Sequence, residues 1–423
     1  MANPHQTYEI RCPIHGFIHL SDWEWAIISD PAFQRLRRIR QLAWTDYVYP
    51  GAMHTRFEHS LGVMHTATLV YKAISERSAD VLQSEVHYND VGLRRDLQLV
   101  RLAALLHDVG HAPFSHAAEE LMPLQEGGTT RFTHEQYSAA VVRTKLRSAI
   151  EDHRLNRNYG FKADDVAALL EGSAQAKQAI FWRDLIDGQM DADRMDYLLR
   201  DSYHAGVQYG RYDLARLIAT MVAIPWQEAS APRLGVNEGG WHAAESLVLA
   251  RYFMFTQVYF HKTRVAYDIH LRETLKELLP GGAFPRPVET GLDEYLAWDD
   301  WRVLGLLANG NGGEHGRRIA TRKHFREIHH TPETTSLSDM ETLERVRKSL
   351  GGLRAAEGSA EKSWYKTGDP DIPVISDNGK IKPLSAYSSM LANMKANNQI
   401  RVYAKPEDAE QARTKVNEVL QNP

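Results

Sequence analysis

A mainly α-helical protein is predicted, with a short β-hairpin and a C-terminal lobe of mixed α/β character. Three observations lead there. Apolar residues recur at helical spacing over most of the chain. Cap and breaker residues bracket those runs. Strand-like patterns are confined to two short stretches, residues 223–237 and 399–403. At 423 residues the chain is long for one compact core. A large domain over 1–284 and an appended lobe over 285–423 are therefore expected.

Asp30-Pro31 is an N-cap followed by proline at the first helical position. It opens a helix carrying Phe33, Leu36, Ile39 (or Arg40) and Leu42-Ala43 on one face. Tyr47 to Gly51 reads as a loop. A second helix is expected from Arg56 through Tyr71, a third from Arg94 to Asp108, and a fourth from Thr133-His-Glu-Gln-Tyr. Further helices fall at 190–202 and 211–222, and a hairpin at 223–237. One long helix is expected from Gly240 to Leu279, where Pro280-Gly-Gly breaks it. Asn309 to Gly313 is a loop. Residues 349–380, rich in Gly, Ser, Lys, Pro and Asp, read as irregular. Gln399-Ile-Arg-Val-Tyr is a strand, and Pro406-Glu-Asp starts a final helix.

Hydrophobic residues make up 43% and charged residues 25%, which is ordinary for a globular protein. The formal charge of -4 supplies no global basic field, so nucleic acid is not an expected partner. A single cysteine, Cys12, rules out an intrachain disulfide and points to a reducing, cytoplasmic setting. The N-terminus shows neither the basic nor the apolar region of a signal peptide. No apolar run reaches the length of a membrane span.

The chemistry concentrates where an apolar helical run, Leu99 to Leu106, meets His107-Asp108, with His111 and His116 following. A buried imidazole beside a buried carboxylate is costly unless each is satisfied, and a metal ion satisfies both. A hydrolytic metal site draws ligands from several elements and keeps positions open for water and substrate. His59, in Arg56-Phe-Glu-His-Ser-Leu-Gly, and Asp193, in Asp191-Ala-Asp-Arg-Met-Asp-Tyr197, complete a candidate set. Two imidazoles and two carboxylates suit Mn, Fe, Co, Ni or Zn. A lone helical histidine is far more often a satisfied core residue, so the pattern as a whole carries the reading.

His59, His107-Asp108 and Asp193 match the H…HD…D signature of the HD phosphohydrolase superfamily. Six segments stand in the order of one branch of it: Phe33-Gln-Arg-Leu-Arg, Arg56 to Gly62, Leu106 to His116, Thr133-His-Glu-Gln, Asp193-Arg-Met-Asp-Tyr and Tyr259-Phe-His-Lys. The chain thus resembles the deoxynucleoside triphosphate (dNTP) triphosphohydrolases, both bacterial and of the mammalian SAM-and-HD-domain type. The likeness runs over roughly residues 8–275 and returns at Gln399 to Lys405.

The resemblance implies an HD-domain helical core and hydrolysis of dNTPs at the α-phosphorus, releasing deoxynucleoside and triphosphate, with Mg accompanying the nucleotide. It places His111 and His116 beside the phosphates. It makes His134 the proton donor to the leaving 5′-oxygen, with Glu135 and Glu119 orienting and charging that ring. Arg56, Arg194 and Arg251 match phosphate or nucleotide contacts, Arg194 standing where the mammalian type more often has Lys. Gln41, Asp201 and Tyr259 match positions that hold the 3′-hydroxyl. Tyr197 and Leu42 match those that exclude a 2′-hydroxyl. Plain core packing is the alternative reading of Tyr197 and Leu42, and both roles are compatible.

A homo-oligomer, with a tetramer favoured, and a nucleotide effector are also implied. Gln34, Arg37, Arg216, Arg233, Lys262, Arg401 and Lys405 fall at or near effector-binding positions. Ser29 and Tyr8 depart from that pattern, which places guanine specificity in doubt. Ion pairing across an oligomer interface is the plainer reading of these cations. Two competing functions are an HD phosphohydrolase acting on another nucleotide, such as a monophosphate or a modified triphosphate, and a nucleotide- or nucleic-acid-binding regulator.

Overall fold

The computed structural model describes residues 7–225, 232–360 and 371–421. It is mainly helical, with three small sheets among the described residues. Two long helices, Arg56–Arg77 and Asp90–Leu106, pack side by side at the centre. The Ala192–Ala205 helix lies against the first, and His134–Thr144 packs on Ala163–Glu171. Local chemistry sets where these helices begin. Thr55 and Glu58 form a capping box, as do Thr133 and Gln136, and the Asp191 side chain accepts the Arg194 backbone N–H.

Several expectations need correction. The helix opened by Asp30-Pro31 spans only Pro31–Gln34 and tightens into a 3-10 turn, Arg35–Arg38. Ile39 is extended, and Arg40 bridges to Thr55 instead of continuing the helix. The apolar positions Phe33, Leu36, Ile39 and Leu42 are buried all the same. The third helix ends at Leu106, leaving Asp108 past it. The expected long helix is two, Trp241–Met254 and Lys262–Leu278. A π turn, Phe255–Tyr259, separates them, with the Phe260 N–H donating to the Phe255 carbonyl at 2.7 Å. The His261 ring then caps the second helix by accepting the Thr263 N–H.

The hairpin forms from Met221–Ile224 and Arg233–Asn237, paired antiparallel. The stretch joining its strands, including Trp226, lies largely outside the described residues. Pro373–Ile375 pairs parallel to the second strand and antiparallel to Ile381–Pro383. Ala356–Ser359 and Arg326–His330 flank Ile400–Ala404 in another sheet. The described part of 349–380 therefore contains strands. Its hydrogen bonds go to partners distant in sequence, which composition does not reveal. An N-terminal hairpin, Thr7–Cys12 with Gly16–Ser21, was not anticipated either.

One apolar core runs from Cys12 to Leu391 and takes in Tyr295 and Trp298 beyond residue 284. No described helix is long and apolar enough to cross a membrane.

Candidate metal centre and nucleotide-sized cavity

His59 is fully buried on the Arg56–Arg77 helix. Its Nδ1 is 2.8 Å from Asp196 Oδ2, so Nε2 faces the other way. The His107 Nδ1 is 2.9 Å from the Ala104 carbonyl, which likewise leaves Nε2 for a ligand. Both Nε2 atoms are buried and face the carboxylates of Asp108 and Asp193. Donor atoms of His59, His107 and Asp108 lie within 4.8 Å of one another, close enough to hold one ion. Asp193 Oδ1 stands 2.9 Å from His59 Nε2 and 3.7 Å from His107 Nε2. Fixing the remote ring nitrogen by a carboxylate or a carbonyl is the usual support of a metal-bound imidazole. This donor set fits a divalent transition ion.

The electrostatics agree. Burial disfavours the His59 imidazolium, yet the Asp193 and Asp196 carboxylates outweigh it and push the pKa up to about 10. Burial also opposes charge on Asp108, but Arg56, His107 and His111 hold its carboxyl well below the usual range. Such a pocket is built to contain positive charge.

Asp196 is a further buried member of the site, beyond the candidate ligands. It is fully buried, takes two bonds from Arg200 at 2.8 Å each, and meets His15 Nε2 at 2.6 Å. Its i, i+4 spacing to Arg200 was the available signal. His15, far off in sequence, gave none.

A second cluster adjoins the first. Asp108 Oδ1 is 3.2 Å from His111 Nε2, and the His111 ring stacks on His134 at 3.9 Å. Glu119 Oε1 accepts from His134 Nδ1 at 2.7 Å and from His116 Nδ1 at 2.9 Å. Glu135 is farther from His134, at 3.5 Å. Burial lowers the His134 pKa, but Glu119 outweighs it and raises the group to about 9. Burial and the Arg56 charge push His111 well below the ordinary value.

A cavity of about 540 Å³ opens beside both clusters. Asp193, His116 and Arg56 line one part of its wall. Gln41, Leu42, Tyr197, Asp201, Arg251 and Tyr259 line it as well. Asp201 is doubly engaged, by the Tyr259 hydroxyl at 2.6 Å and His54 Nε2 at 2.7 Å. Gln41 Oε1 is buried and lacks a hydrogen-bond partner. Arg264, Asp268 and residues 357–360 also face the cavity and were not foreseen.

Arg194 does not line that cavity; its guanidinium pairs with Asp191 at 2.6 Å. Arg56 also spends bonds internally, on Asp108 at 2.5 Å and Ser115 at 2.9 Å.

The seven residues at effector-type positions fall in several neighbourhoods. Gln34 and Arg37 line a separate groove with Trp25 and Phe57. Arg216 donates to the Gly239 carbonyl, and Arg233 reaches the Asp371 carbonyl. Arg401 pairs with Glu327 and lies over the Phe260 ring, while the Lys262 carbonyl accepts from Tyr403. Lys405 is exposed.

Comparison with known proteins accords with this geometry. The chain matches the HD domain over residues 56–201 and the HD associated region over residues 212–355. It belongs to the HD-domain phosphohydrolase family. A crystal structure of a hypothetical protein from Aquifex aeolicus is 30% identical, with a TM-score of 0.79 covering 97% of this chain and 100% of that one. The uncharacterised protein YwfO of Bacillus subtilis is 29% identical over 416 residues, 90% of this chain and 88% of that one. A Dictyostelium discoideum protein named deoxynucleoside triphosphate triphosphohydrolase SAMHD1 homolog is 37% identical over 199 residues. That match covers 46% of this chain and only 35% of the relative.

Proposed function

We propose that the protein hydrolyses dNTPs to deoxynucleoside and triphosphate. The observation that carries this reading is the continuity of one cavity wall from Asp193 and Arg56 to Gln41, Tyr197, Asp201 and Tyr259. One cavity thus meets the candidate metal centre at Asp193 and the Asp201–Tyr259 pair at Tyr259. The reading is also supported by the relative named as a dNTP triphosphohydrolase.

His59, His107, Asp108 and Asp193 would hold the ion, which supplies Lewis acidity and an acidified water. Arg56, Arg251 and His116 meet the charge of the triphosphate, the part of phosphoryl transfer that positioning and electrostatics dominate. Water oxygen bonds to the α-phosphorus as the bond to the 5′-oxygen breaks. His134, held protonated by Glu119, gives its proton to that oxygen. Gln41 Oε1 accepts the 3′-hydroxyl, near the Asp201–Tyr259 pair. Tyr197 and Leu42 leave a 2′-hydroxyl without room or partner, which disfavours ribonucleotides.

The remaining parts of the reading are a cytoplasmic homotetramer, Mg on the nucleotide, and an effector nucleotide at Gln34, Arg37, Arg216, Arg233, Lys262, Arg401 and Lys405. Residues 285–423 would serve as an interface and regulatory lobe.

Metal analysis of the purified protein, with chromatography of products from the four dNTPs, tests the function. Bound transition metal and released triphosphate are expected. Orthophosphate release would point to another phosphohydrolase activity. Salt-dependent nucleic-acid binding without hydrolysis would point to a regulator.

A further inference from the structure

Residues 110–116 join the two histidine clusters, and their backbone is unusual. Phe114 and Ser115 are consecutive non-glycine residues in the left-handed region, at φ 58° and 57°. Such a pair persists only where its surroundings over-determine it. The surroundings are a short stretch about 185 residues later in the chain, Tyr295 to Asp300, within the HD associated region.

The contacts are directed at main-chain atoms. The Tyr295 hydroxyl donates to the Gly110 carbonyl at 2.6 Å. Asp300 Oδ1 accepts the Phe114 N–H at 2.7 Å, and its Oδ2 accepts the Arg40 N–H at 2.8 Å. Arg35 bridges the two segments, donating to the His111 carbonyl at 2.8 Å and to the Trp298 carbonyl at 2.6 Å and 3.0 Å. Tyr295, Asp300 and Arg35 are each at least 99% buried. None of these side chains lines the cavity, so none is placed to touch a nucleotide.

Three buried polar groups aimed at one catalytic turn from outside the site are costly unless they define something. We infer that Tyr295 and Asp300 are positioning residues: the 295–300 segment clamps the His111–His116 turn and thereby sets where His111 and His116 stand relative to the metal centre. The associated region is then part of the catalytic apparatus of the HD domain, though it contributes no group to the reaction. The inference rests on the proposed function only for its activity readout.

The strain locates the effect. When Asp300 loses its carboxylate, the Phe114 N–H is buried without an acceptor and the turn relaxes toward ordinary φ. His116 follows directly, because it is the next residue after Ser115. Asp300 also holds the Arg40 N–H next to Gln41, and His116 faces the cavity, so turnover and substrate binding both suffer.

The test uses the full chain with Asp300→Ala, Asp300→Asn and Tyr295→Phe. Hydrogen exchange is read on peptides covering 108–118, with the Ala409–Gln421 helix as an internal control. Exchange at 110–116 should rise at least tenfold in Asp300→Ala, rise less in Asp300→Asn, which keeps one acceptor oxygen, and leave 409–421 unchanged. In parallel, kcat on dNTPs should fall at least tenfold in Asp300→Ala and partly recover in Asp300→Asn. Should Asp300→Ala fail to fold, Tyr295→Phe removes a single hydroxyl and should raise exchange at 110–112 on its own. Wild-type exchange at 110–116 in folded Asp300→Ala overturns the clamp. So does unaltered kcat. If the wild-type protein does not hydrolyse dNTPs, the exchange measurement still decides the clamp, and only the proposed function fails.

Discussion

His59 and His134 face opposite demands. His59 is drawn toward a positive charge by Asp193 and Asp196, and a cation in the centre would replace the proton it otherwise holds. Asp193→Asn should therefore remove most activity and lower bound metal, read by elemental analysis of the purified variant. Full metal content with wild-type turnover would show the ligand assignment to be wrong. Asp196→Asn leaves all four ligands in place but frees the His59 ring, so metal affinity should drop about 10–100-fold, measured by competition with a chelator. His134 is held protonated instead. Its raised pKa, about 9 against an ordinary 6.5, means the imidazolium–Glu119 pair is intact below pH 6.5 and is lost as pH rises through about 9. In the proton-donor role, kcat should fall on that basic limb. Glu119→Gln should move the limb to lower pH, because the charge that raised it is gone and burial then lowers the pKa. A pH profile identical to wild type would remove His134 from that role.

At the scale of elements, the site is assembled by short breaks in helices. The Asp90–Leu106 helix stops just before His107 because the chain turns under the His134–Thr144 helix. The Gly110 N–H donates to Ser138 Oγ, and Ser138 Oγ donates to the His107 carbonyl. A Cβ at Gly110 would sit 2.2 Å from the Ser138 nitrogen, which is backbone and does not yield cheaply. Gly110→Ala should destabilise by about 1–3 kcal/mol and lower Tm, seen in thermal unfolding. An unchanged Tm would mean the two segments separate easily. The π turn at Phe255–Tyr259 works at the same scale. It breaks the run from Trp241 to Leu278, and the Tyr259 hydroxyl at its end reaches Asp201.

Across the whole molecule, the core around the candidate metal centre continues into the associated region through Tyr295 and Trp298. The C-terminal strand Ala356–Ser359 contributes part of the cavity wall. The effector-type cations do not share one pocket within a single chain. The effector nucleotide proposed above would therefore draw these cations from apposed subunits. Turnover measured with and without dGTP or GTP, alongside sedimentation, checks this. Activation with a shift to a larger species is expected, and a linear, effector-independent rate would dispose of effector control.

The sequence alone determined the helical class and the starts of the helices at Arg56 and His134, and it named His59, His107, Asp108 and Asp193 as candidate ligands. Those features are local: caps act over three residues, apolar faces repeat every turn, and the motif residues are identifiable one by one. Only the tertiary structure decided where the helix opened by Asp30-Pro31 and the one from Trp241 stop, that 349–380 contains strands, and that Arg194 turns to Asp191. The same is true of His15 on Asp196 and of Asp300 on Phe114. In each case the deciding partner is distant in sequence, or a competing contact wins by a margin no local pattern encodes. A buried hydrogen bond goes to whichever acceptor the packed chain brings within reach, and packing is settled by the whole core at once.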